Sequence, residues 1–246
     1  HKLRCYQIPE AGRTAKGTAV VNLLSLAPGE KVTAVIPLPE MPEEREGRSL
    51  IMATRCGFIK KTKLSEFENI RANGLIAVIL REGDELVQVA LTSGSDDIIL
   101  GTRLAKAIRF NEKNVRNMGR ATQGVTAIDL AEEDYVINMA VVKPGASVLT
   151  ITENGYGKRS DPDEYRVINR GGKGIITHEL TDKTGALVEL RMVEPDEDIM
   201  LITSDGVIIR TPVEDIRLAG RATQGVIIMR LAFTCLRLYL YLRCWY

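Results

Sequence analysis

The chain has 246 residues, of which 45% are hydrophobic and 26% charged, and its formal net charge is +1. That composition excludes wholesale disorder, suits one large or two ordinary domains, and gives no bulk reason to expect a polyanionic partner. No apolar run reaches the ~18–20 residues of a membrane span, and no signal peptide opens the chain.

The chain starts at His1 in a charged segment and reads as a piece of something larger. Its first pattern is a basic residue followed shortly by glycine, Arg13-Thr-Ala-Lys-Gly17, and residues 37–47 then form a Pro- and Glu-rich stretch expected to be an inserted surface loop. An apolar run ends at Thr54, and a basic strand follows, Gly57-Phe-Ile-Lys-Lys61. The glycine pattern returns as Arg71-Ala-Asn-Gly74, ahead of two apolar runs split by the acidic turn Glu82-Gly-Asp-Glu85. The cycle repeats with Thr102, Ala105-Lys-Ala-Ile-Arg109, Arg120-Ala-Thr-Gln-Gly124 and Glu132-Glu-Asp134. It repeats again with Thr152, Gly155-Tyr-Gly-Lys-Arg159 and Arg170-Gly-Gly-Lys-Gly174, then with Thr203, Gly206-Val-Ile-Ile-Arg210 and Arg221-Ala-Thr-Gln-Gly225.

The closing glycines lie 57, 50, 50 and 51 residues apart. The runs between them are short, rich in Val, Ile, Leu and Thr, and bounded by Gly, Asp and Asn, which is strand chemistry. Each unit holds about four strands and cannot bury its own apolar face, so the units must stack or close radially, as propeller blades do. The fold class is all-β and blade-type.

Charge follows the same step. The segments from basic strand to closing glycine, residues 1–17, 55–74, 103–124, 153–174 and 205–225, carry net charges of +3, +3, +5, +1 and 0. Equivalent segments of a radial repeat occupy equivalent positions, so these cations are expected to form a basic band able to hold duplex DNA through its phosphates. The expected contacts are Arg13, Lys16, Lys60, Lys61, Arg71, Lys106, Arg109, Arg120, Lys158, Arg159, Arg170, Lys173 and Arg221. Gly17, Gly74, Gly124, Gly174 and Gly225 are expected to shape the turns and let phosphate approach the backbone, with the intervening Thr or Gln as a further donor. A plainer reading competes, in which the cations are solvated strand faces and the glycines mark turns alone.

Other chemistry is sparse. Cys5, Cys56, Cys235 and Cys244 form no C-x-x-C pair, so neither a disulfide framework nor a zinc site is expected. His1 and His178 make no catalytic cluster, and His178 is expected to be a surface residue on a strand face. Phe58, Phe67, Phe110 and Tyr156 are expected to pack blades rather than stack bases, and no base-reading module is present.

Across residues 2–231 several segments resemble the C-terminal domain of the A subunit of bacterial DNA gyrase. They are Ile8-Pro-Glu-Ala-Gly-Arg-Thr-Ala-Lys-Gly17, Val20-Val-Asn-Leu-Leu24, Pro28-Gly-Glu-Lys31, Arg170-Gly-Gly-Lys-Gly174 and both Gly-Arg-Ala-Thr-Gln-Gly-Val copies. The resemblance implies a β-pinwheel of six strand-exchanging blades, about five of them present here, whose basic rim wraps DNA and supports supercoiling. It implies no catalytic residue, metal ligand or cofactor in this chain, because the cleaving tyrosine, the magnesium site and the ATPase belong to other parts of the full enzyme. The implied partners are double-stranded DNA, the gyrase A dimer and the gyrase B protein, in the bacterial cytoplasm and not at a membrane. The equivalent domain of topoisomerase IV, which binds DNA with less wrapping, is an alternative, as is a propeller-like protein-interaction scaffold.

Two features depart from that family. Its gyrase box, Gln-Arg-Arg-Gly-Gly-Lys-Gly, has its nearest match at Ile168-Asn-Arg-Gly-Gly-Lys-Gly174, without the leading Gln and in what would be the fifth blade, so the true box is expected to lie before His1. Residues 232–246 replace the expected acidic turn and closing strand with an aromatic-rich tail, read as a frameshifted end or a substitute closing strand.

Overall fold

The threonine that ends each apolar run closes a hairpin. Thr54 Oγ1 accepts the Phe58 N–H at 3.3 Å, Thr102 Oγ1 that of Lys106 at 3.1 Å, and Thr203 Oγ1 that of Val207 at 3.0 Å. Local side-chain capping of this kind explains why threonine recurs with the repeat. The computed structural model describes residues 1–27, 29–39, 41–71 and 73–230, together with the backbone of 236–239.

The strands follow in chain order. The first unit has β1 (Ser49–Thr54), β2 (Phe58–Lys63) and β3 (Leu86–Thr92). The second has β4 (Asp97–Thr102), β5 (Lys106–Asn111), β6 (Val125–Thr126) and β7 (Val136–Val141). The third has β8 (Ser147–Thr152), β9 (Tyr156–Ser160), β10 (Ile175–Ile176) and β11 (Leu187–Val193). The last has β12 (Asp198–Thr203), β13 (Ile208–Pro212), β14 (Val226–Ile227) and β15 (Leu236–Tyr239).

They form four antiparallel sheets, β3-β1-β2-β6, β10-β5-β4-β7, β11-β8-β9-β14 and β13-β12-β15. The two-residue strands are exchanged. β6, β10 and β14 each leave their own unit and pair with the basic strand of the preceding one, at Ile59↔Val125, Ala107↔Ile175 and Gly157↔Val226. Strands β3, β7 and β11 pack on one another at the opposite edge of their sheets, so the exchanged strands lie at the outer rim.

Apolar faces meet between sheets, as the repeat requires. One core cluster joins Ile51 and Ile59 of the first unit to Ile98, Leu100, Ile108 and Phe110 of the second, and another joins Leu149 and Ile151 to Ile199 and Leu201. Phe67 is buried as expected of a packing residue, while Phe58 and Tyr156 are half-buried.

Residues 1–48 carry short 3-10 turns and no strand among those described. Most of the tail, 232–235 and 240–246, lies outside the described residues, but β15 within it pairs with β12 from Met200↔Tyr239 to Thr203↔Leu236. That is the place a closing strand takes in the other sheets.

Candidate nucleic-acid interface

After the basic strand each unit makes a 3-10 turn, at Leu64–Phe67, Glu112–Asn114, Pro162–Glu164 and Val213–Asp215. The chain then runs along the outer edge of the preceding unit. Asn117 bridges Lys61, Val167 bridges Arg109 and Leu218 bridges Arg159. A six-residue loop follows, at 119–124, 169–174 and 220–225, before the exchanged strand begins.

The loop-closing glycines are required by contact with the neighbouring backbone. A Cβ on Gly124 would lie 2.6 Å from the Ile59 carbonyl oxygen, and one on Gly174 would lie 2.7 Å from that of Ala107. Gly174 also has φ +69, whereas Gly124 does not enter the left-handed region, so at Gly124 close approach alone excludes a side chain.

Several of the expected phosphate contacts are instead inter-unit mortar. Lys60 and Lys158 are 1% and 0% exposed; Lys60 donates to the Ala77 carbonyl and to that of Arg120 in the neighbouring loop, and Lys158 to the loop carbonyls of Gly220 and Arg221. Lys61 is buried too. It donates to the Glu112 carbonyl at 2.8 Å and pairs with the Glu112 carboxylate at 3.6 Å. Direct phosphate contact by Lys60, Lys61 and Lys158 is therefore corrected: a strand residue whose outer edge is covered by the next unit cannot reach solvent.

The position equivalent to Lys61 plays the same part in the next two units. Arg109 pairs with Asp97 at 2.9 Å and donates to the Pro162 carbonyl at 2.7 Å, while Arg159 donates to the Ile216 carbonyl at 2.8 Å and the Glu214 carbonyl at 3.2 Å. Each thus grips the 3-10 turn of the following unit. The loop threonines are also committed, since Thr122 and Thr223 each donate to a glycine carbonyl three residues back at 2.8 Å.

The loop arginines are half-buried and pinned on one side. Arg120 donates to the Glu66 carbonyl at 3.0 Å, Arg170 to the Asn114 carbonyl at 3.0 Å, and Arg221 to the Ile176 carbonyl at 2.5 Å. A guanidinium carries five N–H donors, so each keeps others for a second acceptor. Arg13, Lys16, Arg71 and Lys173 are exposed and Lys106 half-exposed, and none of these enters an ion pair among the described residues.

Arg116, Arg166 and Arg217 are exposed at equivalent places just before each bridging residue, and sequence reasoning passed over them. None forms an ion pair among the described residues. Their signal was available: each follows a buried residue, Val115, Tyr165 or Ile216, and stands four residues before the loop arginine. The acidic turns lie elsewhere, at the hairpin ends, where Asp84 accepts the Cys56 N–H and Asp134 the Leu104 N–H, both at 2.9 Å.

His178 is 1% exposed, which corrects its expected surface position. Its Nδ1 lies 3.1 Å from Thr150 Oγ1, and a Cβ on Gly225 would lie 3.4 Å from its ring carbon Cε1. Burial, with Lys158 nearby as a lesser cause, pushes its pKa down to about 4. Burial likewise pushes Lys158 down to about 8.

Strand-exchanging four-stranded units with unpaired cations recurring along their outer rim define a propeller-type repeat domain. The family of the DNA gyrase C-terminal domain, beta-propeller, matches residues 2–39, 48–93, 96–143, 146–194 and 197–232, and the chain belongs to it. The chain is 45% identical over 237 residues to the DNA gyrase A protein of Haloquadratum walsbyi, covering 95% of this chain and 28% of that protein. It is 44% identical over 230 residues to the DNA gyrase A protein of Salmonella typhimurium, covering 94% and 26%. The chain thus spans about a quarter of the curated relatives it matches. The C-terminal domain of DNA topoisomerase IV aligns with TM-score 0.79 at 24% identity over 87% of this chain and 66% of that one. The DNA gyrase A C-terminal domain aligns with TM-score 0.76 at 23% identity over 90% and 74%. At those identities the two structures speak for the fold alone.

Proposed function

We propose that this chain binds duplex DNA without sequence preference along its outer rim and, by curving the duplex over successive units, supports supercoiling by a gyrase. The observation that carries the reading is the recurrence of exposed Arg116, Arg166 and Arg217, unpaired among the described residues, beside half-free Arg120, Arg170 and Arg221. Paired arginines at a fixed spatial repeat suit a polymer with one negative charge per ~1.7 Å. No groove-reading helix is present among the described residues, so affinity would come from phosphate contacts and specificity from the ease of bending.

In this reading the chain works as the DNA-holding part of a larger enzyme that contains a gyrase A dimer and the gyrase B protein, in the cytoplasm, with ATP and magnesium used elsewhere in that assembly. Duplex binding is tested by titrating unrelated DNA sequences of equal length, which should bind alike. Wrapping is tested by ligating nicked circles in the presence of the protein: a shift in linking number supports the gyrase reading, and binding without a shift supports a topoisomerase IV-like domain.

A further inference from the structure

The residue beneath each rim loop varies with the loop. Lys60 and Lys158 lie under Gly119-Arg-Ala-Thr-Gln-Gly124 and Gly220-Arg-Ala-Thr-Gln-Gly225, whereas the equivalent Ile108 lies under Asn169-Arg-Gly-Gly-Lys-Gly174. Lysine is buried where the loop has Ala-Thr-Gln, and is exposed on the loop itself, as Lys173, where the residue below is isoleucine.

The hydrogen bonds show why the two change together. The Ala127 carbonyl accepts the Gly171 N–H at 2.6 Å, and Gly171 has φ +82, a backbone state that turns its N–H inward. In the unit before, the equivalent Ala77 carbonyl accepts Lys60 Nζ at 2.6 Å instead. Alanine at the matching loop position, Ala121, disfavours the left-handed state, so the Lys60 ammonium supplies the missing donor, while Lys158 bonds only within the loop above it. Lys60 also donates to the Arg120 carbonyl, and Lys158 donates to the carbonyls of Gly220 at 2.6 Å and Arg221 at 2.5 Å and to Thr223 Oγ1 at 3.2 Å.

Drawing these carbonyls inward leaves the next peptide N–H facing the other way. Ala121 and Ala222 are exposed, and neither N–H has a backbone acceptor among the described residues. We propose that Lys60 and Lys158 are positioning residues that turn the Ala121 and Ala222 N–H groups outward as donors to phosphodiester oxygens, while the loop over Ile108 offers the Lys173 ammonium in their place. The proposal rests on the reading of the rim as a phosphate-binding surface.

Amide hydrogen exchange of the full chain, free and with a saturating random-sequence duplex of about 40 base pairs, tests it. In free protein Ala121 and Ala222 should exchange fast and Gly171 slowly. DNA should slow the two alanine amides by tenfold or more and leave Gly171 unchanged. In Lys158→Met, DNA should no longer protect Ala222 but should still protect Ala121, an internal control for folding and binding; Lys60→Met should give the reverse pattern. Affinity should fall roughly tenfold in each variant, as expected for one charge-assisted hydrogen bond. The salt slope should stay unchanged, because a buried ammonium releases no counterion, whereas direct phosphate contact by Lys158 would lower it by about 0.9. Slow exchange of both alanines without DNA, or DNA protection of Ala222 that survives Lys158→Met, would overturn the proposal alone. Failure of the unaltered chain to bind DNA would overturn the proposal and the underlying reading together.

Discussion

Buried charge in this molecule is held by neighbours in the next unit, and its worth is best seen at Lys61. The Glu112 carboxylate is fully buried and accepts hydrogen bonds from Thr92 Oγ1 at 2.9 Å and the N–H groups of Gly94 at 2.7 Å and Asp96 at 2.9 Å. Lys61 is its only cationic partner among the described ion pairs. Removing one member of such a pair leaves the other desolvated, at a cost of about 3–5 kcal/mol. Lys61→Met should therefore lower unfolding free energy by roughly 3 kcal/mol in urea melts, with the salt slope of DNA binding by the folded fraction unchanged. A loss of affinity at full stability would return Lys61 to the DNA surface.

His178 gives the fold an acid limit. Its pKa falls from 6.5 to about 4 on burial, so the native state favours the neutral ring. Its contribution is complete above pH ~6.5 and is lost as pH falls toward 4, up to about 3 kcal/mol in all. Melting midpoints between pH 7 and 4 should decline steeply in the unaltered chain and more gently in His178→Asn. Equal slopes would mean that the imidazole titrates normally.

At the scale of elements, the loop glycines separate into two kinds. Gly124→Ala and Gly174→Ala would press a Cβ against a neighbouring strand at 2.6 and 2.7 Å, whereas a Cβ on Gly119 would meet nothing within 4 Å. The first two substitutions should destabilise by about 1–3 kcal/mol, and Gly119→Ala should be close to neutral. Thermal melts of the three decide this, and an equal effect at all three would refute the close-approach account.

The elements also show what a sequence reveals. The fifty-residue step and the threonines that end each apolar run leave periodic marks, because each unit solves the same local problem, whereas the exchange of short strands is implied by the family resemblance and not by the repeat itself. The destination of a cation leaves a weaker mark. Lys60 and Arg116 are both basic and both belong to the repeated segment, yet one is covered by the next unit and the other is exposed. Only the path of the following unit over the strand edge separates them, and that path is set by contacts some fifty residues away in the chain. Burial of His178 beside Gly225 was illegible for the same reason.

For the molecule as a whole, the near-neutral net charge of +1 conceals a division of labour. One set of cations is spent joining units, and a second, displaced by a few residues, faces outward at the rim. Only the second set can exchange counterions for phosphate, so the salt dependence of binding counts it selectively. Binding of a random-sequence duplex should weaken linearly with the logarithm of salt concentration. Replacing Arg116, Arg166 and Arg217 together by alanine should reduce that slope by about 2–3 while leaving the melting temperature in place. The most direct measurement is this pair of salt titrations, unaltered chain against triple variant. Steep binding whose slope falls in the variant is the predicted result; weak, salt-indifferent binding, or the same slope in both proteins, would contradict an arginine-lined DNA rim.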